Sequence, residues 1–190
     1  MNQAPFAERL SAAIREKRTP VMVGIDPSWD QLPPMIQDEA IARHGKTLKA
    51  VAEAYRQFSS AILDAVADLV PVVKFQAAFF EAIGPAGLIV LFDLMLKAKE
   101  AGLTVVFDGK RNDIGNTAAA YAQGYLGEFA IEGESHAVWS ADAITVNPYL
   151  GARGDRTVLE NRKPTWDRPL RPGSNEQSRG GVASGPGFRQ

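Results

Sequence analysis

The chain has 190 residues, of which 45% are hydrophobic and 23% charged, a composition typical of a folded domain with a real core. The formal net charge of −1 gives no reason to expect nucleic acid or a membrane surface as a partner. The sequence contains no cysteine, which excludes disulfides, thiol catalysis and thiolate metal sites and fits a cytoplasmic location.

The first predicted element is an amphipathic helix within residues 1–17, where Phe6, Leu10 and Ile14 recur at helical spacing among charged residues. That mixture of charges is not typical of a secretory signal. Three later segments have helical periodicity and are predicted to form helices: residues 47–67, 87–102 and 116–129.

Four apolar runs of strand length alternate with these helices, and the fourth continues into a loop: residues 21–26, 72–76, 103–107 and 143–151. The turn residues of 27–34 predict a loop after the first strand. Strands that alternate with helices predict a parallel sheet, and strands this apolar are expected where both sheet faces are covered. Two architectures remain open, a doubly wound sheet and a (β/α)₈ barrel.

Each predicted strand carries a polar side chain at or near its carboxyl end: Asp26, Lys74, Asp108 and Asn147, with Lys110 and Asp113 following Asp108. Taken singly, such residues are typical of turns, helix caps and sheet edges. In both candidate architectures the carboxyl ends of the strands meet at one edge, which is where ligands bind. We therefore interpret the set as a functional site.

Several common motifs are missing from the sequence. No glycine-rich dinucleotide fingerprint, no phosphate-binding Gly-Lys-Ser/Thr loop and no Gly-x-Ser-x-Gly elbow occurs. His44 lies in a polar stretch and His136 in a predicted loop, and neither has the spacing of a metal ligand. We expect both histidines at the surface and predict no metal site.

The composition changes at about Gly151. Residues 151–190 contain 7 of the 17 glycines and 4 of the 12 prolines, and only 8 of these 40 residues are apolar. We predict one domain over 1–151 and a low-complexity, disordered tail over 152–190. A lost reading frame or a gene rearrangement near residue 151 would also produce so abrupt a change.

Residues 108–117, DGKRNDIGNT, resemble the Asp-x-Lys-x-x-Asp-Ile signature of orotidine 5′-phosphate decarboxylases, in the form typical of their longer bacterial subgroup. Three further stretches are similar to that family: GIDP at 24–27, VVKFQAAFFE at 72–81 and ITVNPYLG at 144–151. The resemblance spans about residues 5–151. It implies a (β/α)₈ barrel, with about the first four βα units recognisable, that works as a homodimer without a metal or organic cofactor.

The resemblance also implies a reaction, the decarboxylation of orotidine 5′-phosphate to UMP in pyrimidine biosynthesis. Lys110 would protonate C6 beside Asp108, Lys74 would join them in a charge network, and Asp113 would cross the dimer interface. Four residues would bind the substrate: Asp26, Ile114, Thr117 and Asn147. A positioned ammonium suits this chemistry, because it stabilises the charge left at C6 and then supplies the proton.

Two alternatives stay open. Sugar-phosphate decarboxylases or synthases of the same superfamily share the Asp-x-Lys-x-x-Asp pattern but use Mg²⁺, with an acidic ligand from the second strand. Lys74 stands on that strand here, a poor place for a cation. The chain could also be a non-catalytic remnant, because a complete barrel needs about 250 residues and the pattern stops after four strands.

Overall fold

The computed structural model describes residues 4–147 and 149, together with the backbone of residues 181–184. The chain divides into two compact units. The first unit is Lys17–Val105, and the second consists of Met1–Glu16 with Val106–Gln190.

The first unit contains a pair of parallel strands. β1 (Met22–Ile25) lies beside β2 (Val72–Gln76), with Gly24 opposite Lys74. β2 has the predicted bounds, whereas β1 is one residue shorter at each end than predicted. β2 is largely buried, but Met22 at the start of β1 is 47% exposed. The expectation that both sheet faces are covered is therefore wrong for the start of β1.

Four helices and a single 3₁₀ turn complete the first unit: the turn Trp29–Gln31, α2 (Pro34–His44), α3 (Leu48–Val66), α4 (Ala77–Glu81) and α5 (Gly84–Glu100). α3 confirms the predicted helix at 47–67, and it starts where the Thr47 side chain accepts the Ala50 N–H. Neither α2 nor α4 was predicted from the sequence. α2 buries only Ala40, so it lacks the apolar periodicity on which helix prediction depends.

The predicted bounds of α5 need a correction at both ends. The helix begins at Gly84 rather than at residue 87, because Pro85 lies in its first turn, where proline is well tolerated. It ends at Glu100 rather than at residue 102, and Gly102 beyond it has a positive φ of 79°. The apparent loop before residue 87 is thus part of the helix.

Two ion pairs join α3 to α5. Arg56 contacts Asp93 at 2.6 Å, and Lys97 contacts Asp64 at 2.8 Å. Beneath these pairs the unit is filled by fully buried side chains: Val73, Phe75, Phe80, Leu91, Leu94 and Met95. The core of the first unit therefore lies between its strands and the inner faces of its helices.

The described residues of the second unit form two helices and most of five strands: α1 (Phe6–Lys17), β3 (Thr104–Asp108), α6 (Gly115–Leu126), β4 (Glu128–Ile131), β5 (Glu134–Ala137), β6 (Ala143–Val146) and β7 (Gly181–Ser184). Three residues of these elements belong to the first unit: Lys17 at the end of α1, and Thr104 and Val105 at the start of β3. β3 pairs in parallel with β6, as predicted for the third and fourth strands. Every residue of β3 is buried.

A β-hairpin follows α6 and was not predicted. α6 ends at Leu126 rather than at residue 129, and β4 then pairs antiparallel with β5. Glu132 and Gly133 between them both have positive φ, 49° and 89°, as a tight two-residue hairpin turn requires. His136 lies on β5, so its placement in a loop is wrong, although it is exposed as expected.

β7 was also not foreseen, because its segment lacks a clear strand pattern. It pairs antiparallel with β6, with Gly181 opposite Val146. The remainder of the predicted tail, and with it the expected disorder, lies outside the described residues.

Aromatic packing and an ion pair to α1 stabilise the second unit. The Phe107 ring lies 4.3 Å from that of Tyr125 and 5.9 Å from that of Trp139. Arg9 on α1 reaches the nearly buried Asp142, just before β6, at 2.7 Å. The carboxyl end of β3 thus rests on a packed aromatic cluster.

Within the described part of the chain, no helix combines the length and the apolar character that a membrane crossing requires.

Candidate active site

A lysine–aspartate pair occupies the carboxyl end of β3. Asp108 is the last residue of the strand and is 9% exposed. The Lys110 Nζ donates to Asp108 Oδ1 at 2.7 Å, while the Lys110 side chain is 62% exposed. A charged donor bonded to a charged acceptor at this distance makes a strong hydrogen bond. The ammonium group of Lys110 is thus accessible at the end of β3 while its nitrogen is held by the Asp108 carboxylate.

The backbone of Lys110 has an uncommon conformation. Its φ is +50°, in the left-handed region that non-glycine residues rarely occupy. Residues 109–114, which we call the β3 loop, turn at this point towards α6. Gly109 before the turn is also constrained, because a Cβ there would lie 2.3 Å from Cε1 of Phe107.

The neighbouring strand β6 contacts this loop through Thr145. The Thr145 hydroxyl donates to Asp108 Oδ1 at 2.7 Å and accepts the Lys110 N–H at 3.1 Å. The Thr145 carbonyl accepts the Arg111 N–H at 3.1 Å. Three hydrogen bonds from one residue therefore join the strand end to the loop.

Asn112 and Asn147 make a second connection. The Asn112 side chain donates to the Asn147 carbonyl at 2.8 Å and accepts the Asn147 N–H at 2.9 Å. It imitates a backbone partner and continues the β3–β6 pairing past the ends of the strands. The Asn147 side chain accepts the Tyr149 N–H at 3.0 Å. Asn147 is thus positioned by its backbone, in an exposed turn.

Three more of the predicted site residues lie further along, around the start of α6. Asp113 accepts the Ile114 N–H through Oδ1 at 2.7 Å. Ile114 is 62% exposed, and Thr117 in the first turn of α6 is exposed as well. An exposed isoleucine directly after a charged loop offers apolar surface that the described residues of the second unit leave uncovered.

The first unit holds another lysine–aspartate pair. Asp26 follows β1, and its Oδ1 lies 3.6 Å from Nζ of Lys74 on β2. The Asp26 side chain is 44% exposed and that of Lys74 is 20% exposed. This pair results from strand register: Lys74 is opposite Gly24, and Asp26 follows Gly24 by two residues, just after the end of β1.

A cavity of about 310 Å³ lies beside Asp26 in the first unit. Asp26, Ser28 and Gln31 line it from the loop after β1, and Phe58 and Ser59 line it from α3. The Ser59 hydroxyl is buried without a hydrogen-bond partner in the described part of the chain. The cavity is large enough for a small polar molecule.

Tyr55 supports the same loop from α3. Burial raises the pKa of the Tyr55 phenol, a hydrogen bond with the Trp29 backbone opposes that rise, and the nearby Asp30 carboxylate adds to it. Its ring packs edge-to-face against Phe80 at 6.1 Å. The loop that follows Asp26 is therefore anchored on a buried phenol.

Sequence reasoning missed Thr145 and Asn112. One signal for Thr145 was available, because it is a hydroxyl residue two positions before Asn147 in an otherwise apolar strand. The exchange between Asn112 and Asn147 had no sequence signal, since it joins residues that only the β3–β6 pairing brings together. Among the described residues, no group of three or more histidines and carboxylates could hold a metal ion.

Comparisons with known proteins identify relatives. A profile of the family described as "Orotidine 5'-phosphate decarboxylase / HUMPS family" matches residues 19–165. An orotidine 5′-phosphate decarboxylase of Rhodopirellula baltica is 49% identical over 146 residues, which are 77% of this chain and 46% of that protein. One from Caldicellulosiruptor saccharolyticus is 38% identical over 156 residues, covering 82% of this chain and 51% of its own.

Solved structures that resemble this chain are described as the same enzyme or as candidates for it. A crystal structure of a candidate orotidine 5′-phosphate decarboxylase from Streptomyces avermitilis superposes with a TM-score of 0.66 at 35% identity, covering 87% of this chain and 52% of that one. The Leishmania donovani OMP decarboxylase gives 0.58 at 26% identity, covering 82% and 49%. The chain spans about half the length of the relatives that it matches. Of the two predicted architectures, the (β/α)₈ barrel is the one that these relatives share.

Proposed function

The chain belongs to the orotidine 5′-phosphate decarboxylase / HUMPS family, and from this membership we propose that it carries the reacting-carbon part of an orotidine 5′-phosphate decarboxylase site. The reaction is the loss of CO₂ from C6 of orotidine 5′-phosphate, which yields UMP for pyrimidine biosynthesis. The observation that carries the proposal is the 2.7 Å contact of Lys110 with Asp108 at the end of a buried strand.

In the proposed step, the bond between C6 and the carboxylate carbon breaks and its electron pair stays on C6. Lys110 stabilises that pair as an ammonium and then gives a proton from Nζ to C6, so that CO₂ and UMP are the products. The neutral amine regains its proton from solvent. A positioned general acid of this kind typically contributes about 10²–10⁴-fold to a rate.

Asp108 has two parts in the proposed step. Its carboxylate accepts a hydrogen bond from the Lys110 ammonium and holds Nζ at 2.7 Å. Its carboxylate would also face that of the substrate, and this repulsion ends when CO₂ leaves. The low exposure of Asp108 strengthens both effects, because nearby water is limited.

The remaining site residues are assigned by family resemblance. Lys74 extends the charge network, and Asp26 contacts the ribose. Asp113 is contributed across the interface of a homodimer, with Ile114 and Thr117 beside it. The exposure of Ile114 and Thr117 supports this assignment, since a partner subunit or the substrate would cover them. Asn147 contributes to substrate binding from the turn after β6. The setting is the cytoplasm.

The test is the loss of orotidine 5′-phosphate absorbance on incubation with the purified chain in a chelator, beside a Lys110→Ala variant. We expect turnover that survives chelation and vanishes in the variant. Turnover abolished by the chelator and restored by Mg²⁺ would point to the metal-dependent sugar-phosphate chemistry of the superfamily. A folded wild-type chain without turnover would contradict the proposal for this chain.

A further inference from the structure

Lys110 reaches its partner in a conformation that its own side chain does not stabilise. Its φ of +50° is unfavourable for a residue with a Cβ, and its side chain is 62% exposed, so packing does not hold it. Something outside the residue has to select this conformation. The described contacts point to Thr145 on β6, which accepts the Lys110 N–H through its hydroxyl oxygen.

The hydrogen-bonding directions at Thr145 are determined by chemistry. A backbone N–H can only donate, so the Thr145 oxygen must accept from Lys110 at 3.1 Å. An ionised carboxylate can only accept, so the Thr145 proton must go to Asp108 Oδ1 at 2.7 Å. One hydroxyl therefore makes both bonds at once, and no other assignment of its proton satisfies both neighbours.

The two bonds converge on the catalytic pair. Asp108 Oδ1 accepts from the Thr145 hydroxyl and also from the Lys110 Nζ, each at 2.7 Å. Thr145 thus holds the backbone of the lysine and the carboxylate to which its ammonium is bonded. The Thr145 carbonyl restrains the next residue as well, through the Arg111 N–H.

We propose that Thr145 is a positioning residue for Lys110, an inference that rests on the function proposed above. Its hydroxyl selects the left-handed backbone of Lys110 and orients Asp108, so that Nζ is held where C6 of the substrate would need a proton. Because the hydroxyl is committed to two bonds within the protein, we expect it to affect kcat far more than KM.

The test compares Thr145→Val, which keeps the shape and removes the hydroxyl, with Thr145→Ser, which keeps the hydroxyl. Thr104→Val is the matched control, a buried threonine of β3 at the end of the strand away from Asp108. We expect kcat to fall about tenfold or more in Thr145→Val, with KM changed less than about threefold. Thr145→Ser and Thr104→Val should remain within about threefold of wild type.

Hydrogen exchange of the Lys110 amide provides a readout that does not depend on turnover. We expect this amide to be protected in the wild type and in Thr145→Ser, and to exchange about tenfold faster in Thr145→Val. The Val106 amide in β3 serves as an internal reference for folding. Faster exchange in Thr145→Val that is confined to the Lys110 amide would support positioning even if the chain turned over no substrate, which separates this inference from the proposed function.

Either of two results would overturn the inference. One is an unprotected Lys110 amide in the folded wild type, a measurement that needs no variant and so stands even if Thr145→Val fails to fold. The other is a Thr145→Val variant whose kcat and Lys110 amide exchange both match those of the wild type.

Discussion

Each of the two units holds a lysine–aspartate pair on or just after its strands, and the two pairs differ in the contacts that position them. In the second unit, Lys110 and Asp108 are two residues apart and 2.7 Å from each other, with Thr145 bonded to both. In the first unit, Lys74 lies on β2 and Asp26 follows β1; the two side chains are 3.6 Å apart, and Asp26 is nearly half exposed. The same two residue types thus form a closely bonded pair in one place and a looser one in the other.

The difference indicates what each pair can do. A buried carboxylate that accepts several short hydrogen bonds restricts the position of a proton donor, and proton transfer requires a well-positioned donor. A looser, partly hydrated pair can adjust to a bound molecule, as substrate contact needs. The comparison therefore predicts large effects on turnover at Asp108 and smaller effects on binding at Asp26.

The largest expected effect is that of Asp108→Asn. The variant keeps the shape of the side chain but removes the charge that faces Lys110 and orients it. We expect kcat to fall about 100-fold or more, as for other losses of a preorganised charge at a reacting centre. Steady-state turnover of orotidine 5′-phosphate measures this, and a kcat within threefold of wild type would remove the distinction between the two pairs.

The next effect concerns the stability of the β3 loop. A Cβ at Gly109 would lie 2.3 Å from a ring carbon of Phe107, which is 1% exposed and packed on Tyr125. We expect Gly109→Ala to lower the free energy of unfolding by about 1–3 kcal/mol, because the ring has little room to move. Urea unfolding measures the change.

Gly124→Ala is the matched control for that experiment. Gly124 lies within α6, and a Cβ there meets nothing within 4 Å. Alanine should stabilise the helix by up to about 1 kcal/mol. If both variants changed stability in the same direction, the close approach at Gly109 would not be the cause.

A smaller effect is expected for Asp26→Asn, the counterpart of the Asp108 variant. The pair with Lys74 is partly exposed, so its loss should change the free energy of unfolding by less than about 1 kcal/mol. If Asp26 contacts the ribose, KM should rise about tenfold with a smaller change in kcat. An effect on kcat as large as that of Asp108→Asn would show that the first unit's pair acts at the reacting carbon too.

The smallest effect is a dependence of stability on alkaline pH. Burial raises the pKa of Tyr55 above its unfolded value of 10.0, so the folded state keeps the phenol proton longer than the unfolded state does. The stability linked to this proton is fully present below pH 10.0 and is lost as the pH rises through 10.0 towards the folded pKa. Between pH 9 and 11 the free energy of unfolding should therefore fall less steeply for Tyr55→Phe than for the wild type. Parallel plots of this free energy against pH would contradict the raised pKa of Tyr55.

Much of the fold could be predicted from the sequence because apolar periodicity marks elements that bury one face. α3, β2, β3 and β6 all lie at or near their predicted positions for this reason. α2 and the β4–β5 hairpin were missed because they bury little: only Ala40 is buried in α2, and no residue is buried in β4 or β5. Prediction thus failed where solvent exposure removes the pattern.

The candidate site divides in the same way. Asp108, Lys110 and Asp26 could be proposed as site residues because each follows an apolar run, and ligands bind at the carboxyl ends of parallel strands. Thr145 could not be connected to them, because it lies 35 residues from Lys110 in the chain. Only the pairing of β3 with β6 places its hydroxyl between the carboxylate and the loop.

The sequence by itself determined which residue types stand at the strand ends and which family the chain belongs to, since both depend on local order along the chain. The tertiary structure decided which of those residues are held closely, how Lys110 reaches a left-handed backbone, and which strand supplies the bond that keeps it there. The physical reason is that hydrogen bonds are directional and short. Whether one forms depends on strand register to within an ångström, and periodicity in a sequence does not carry that information.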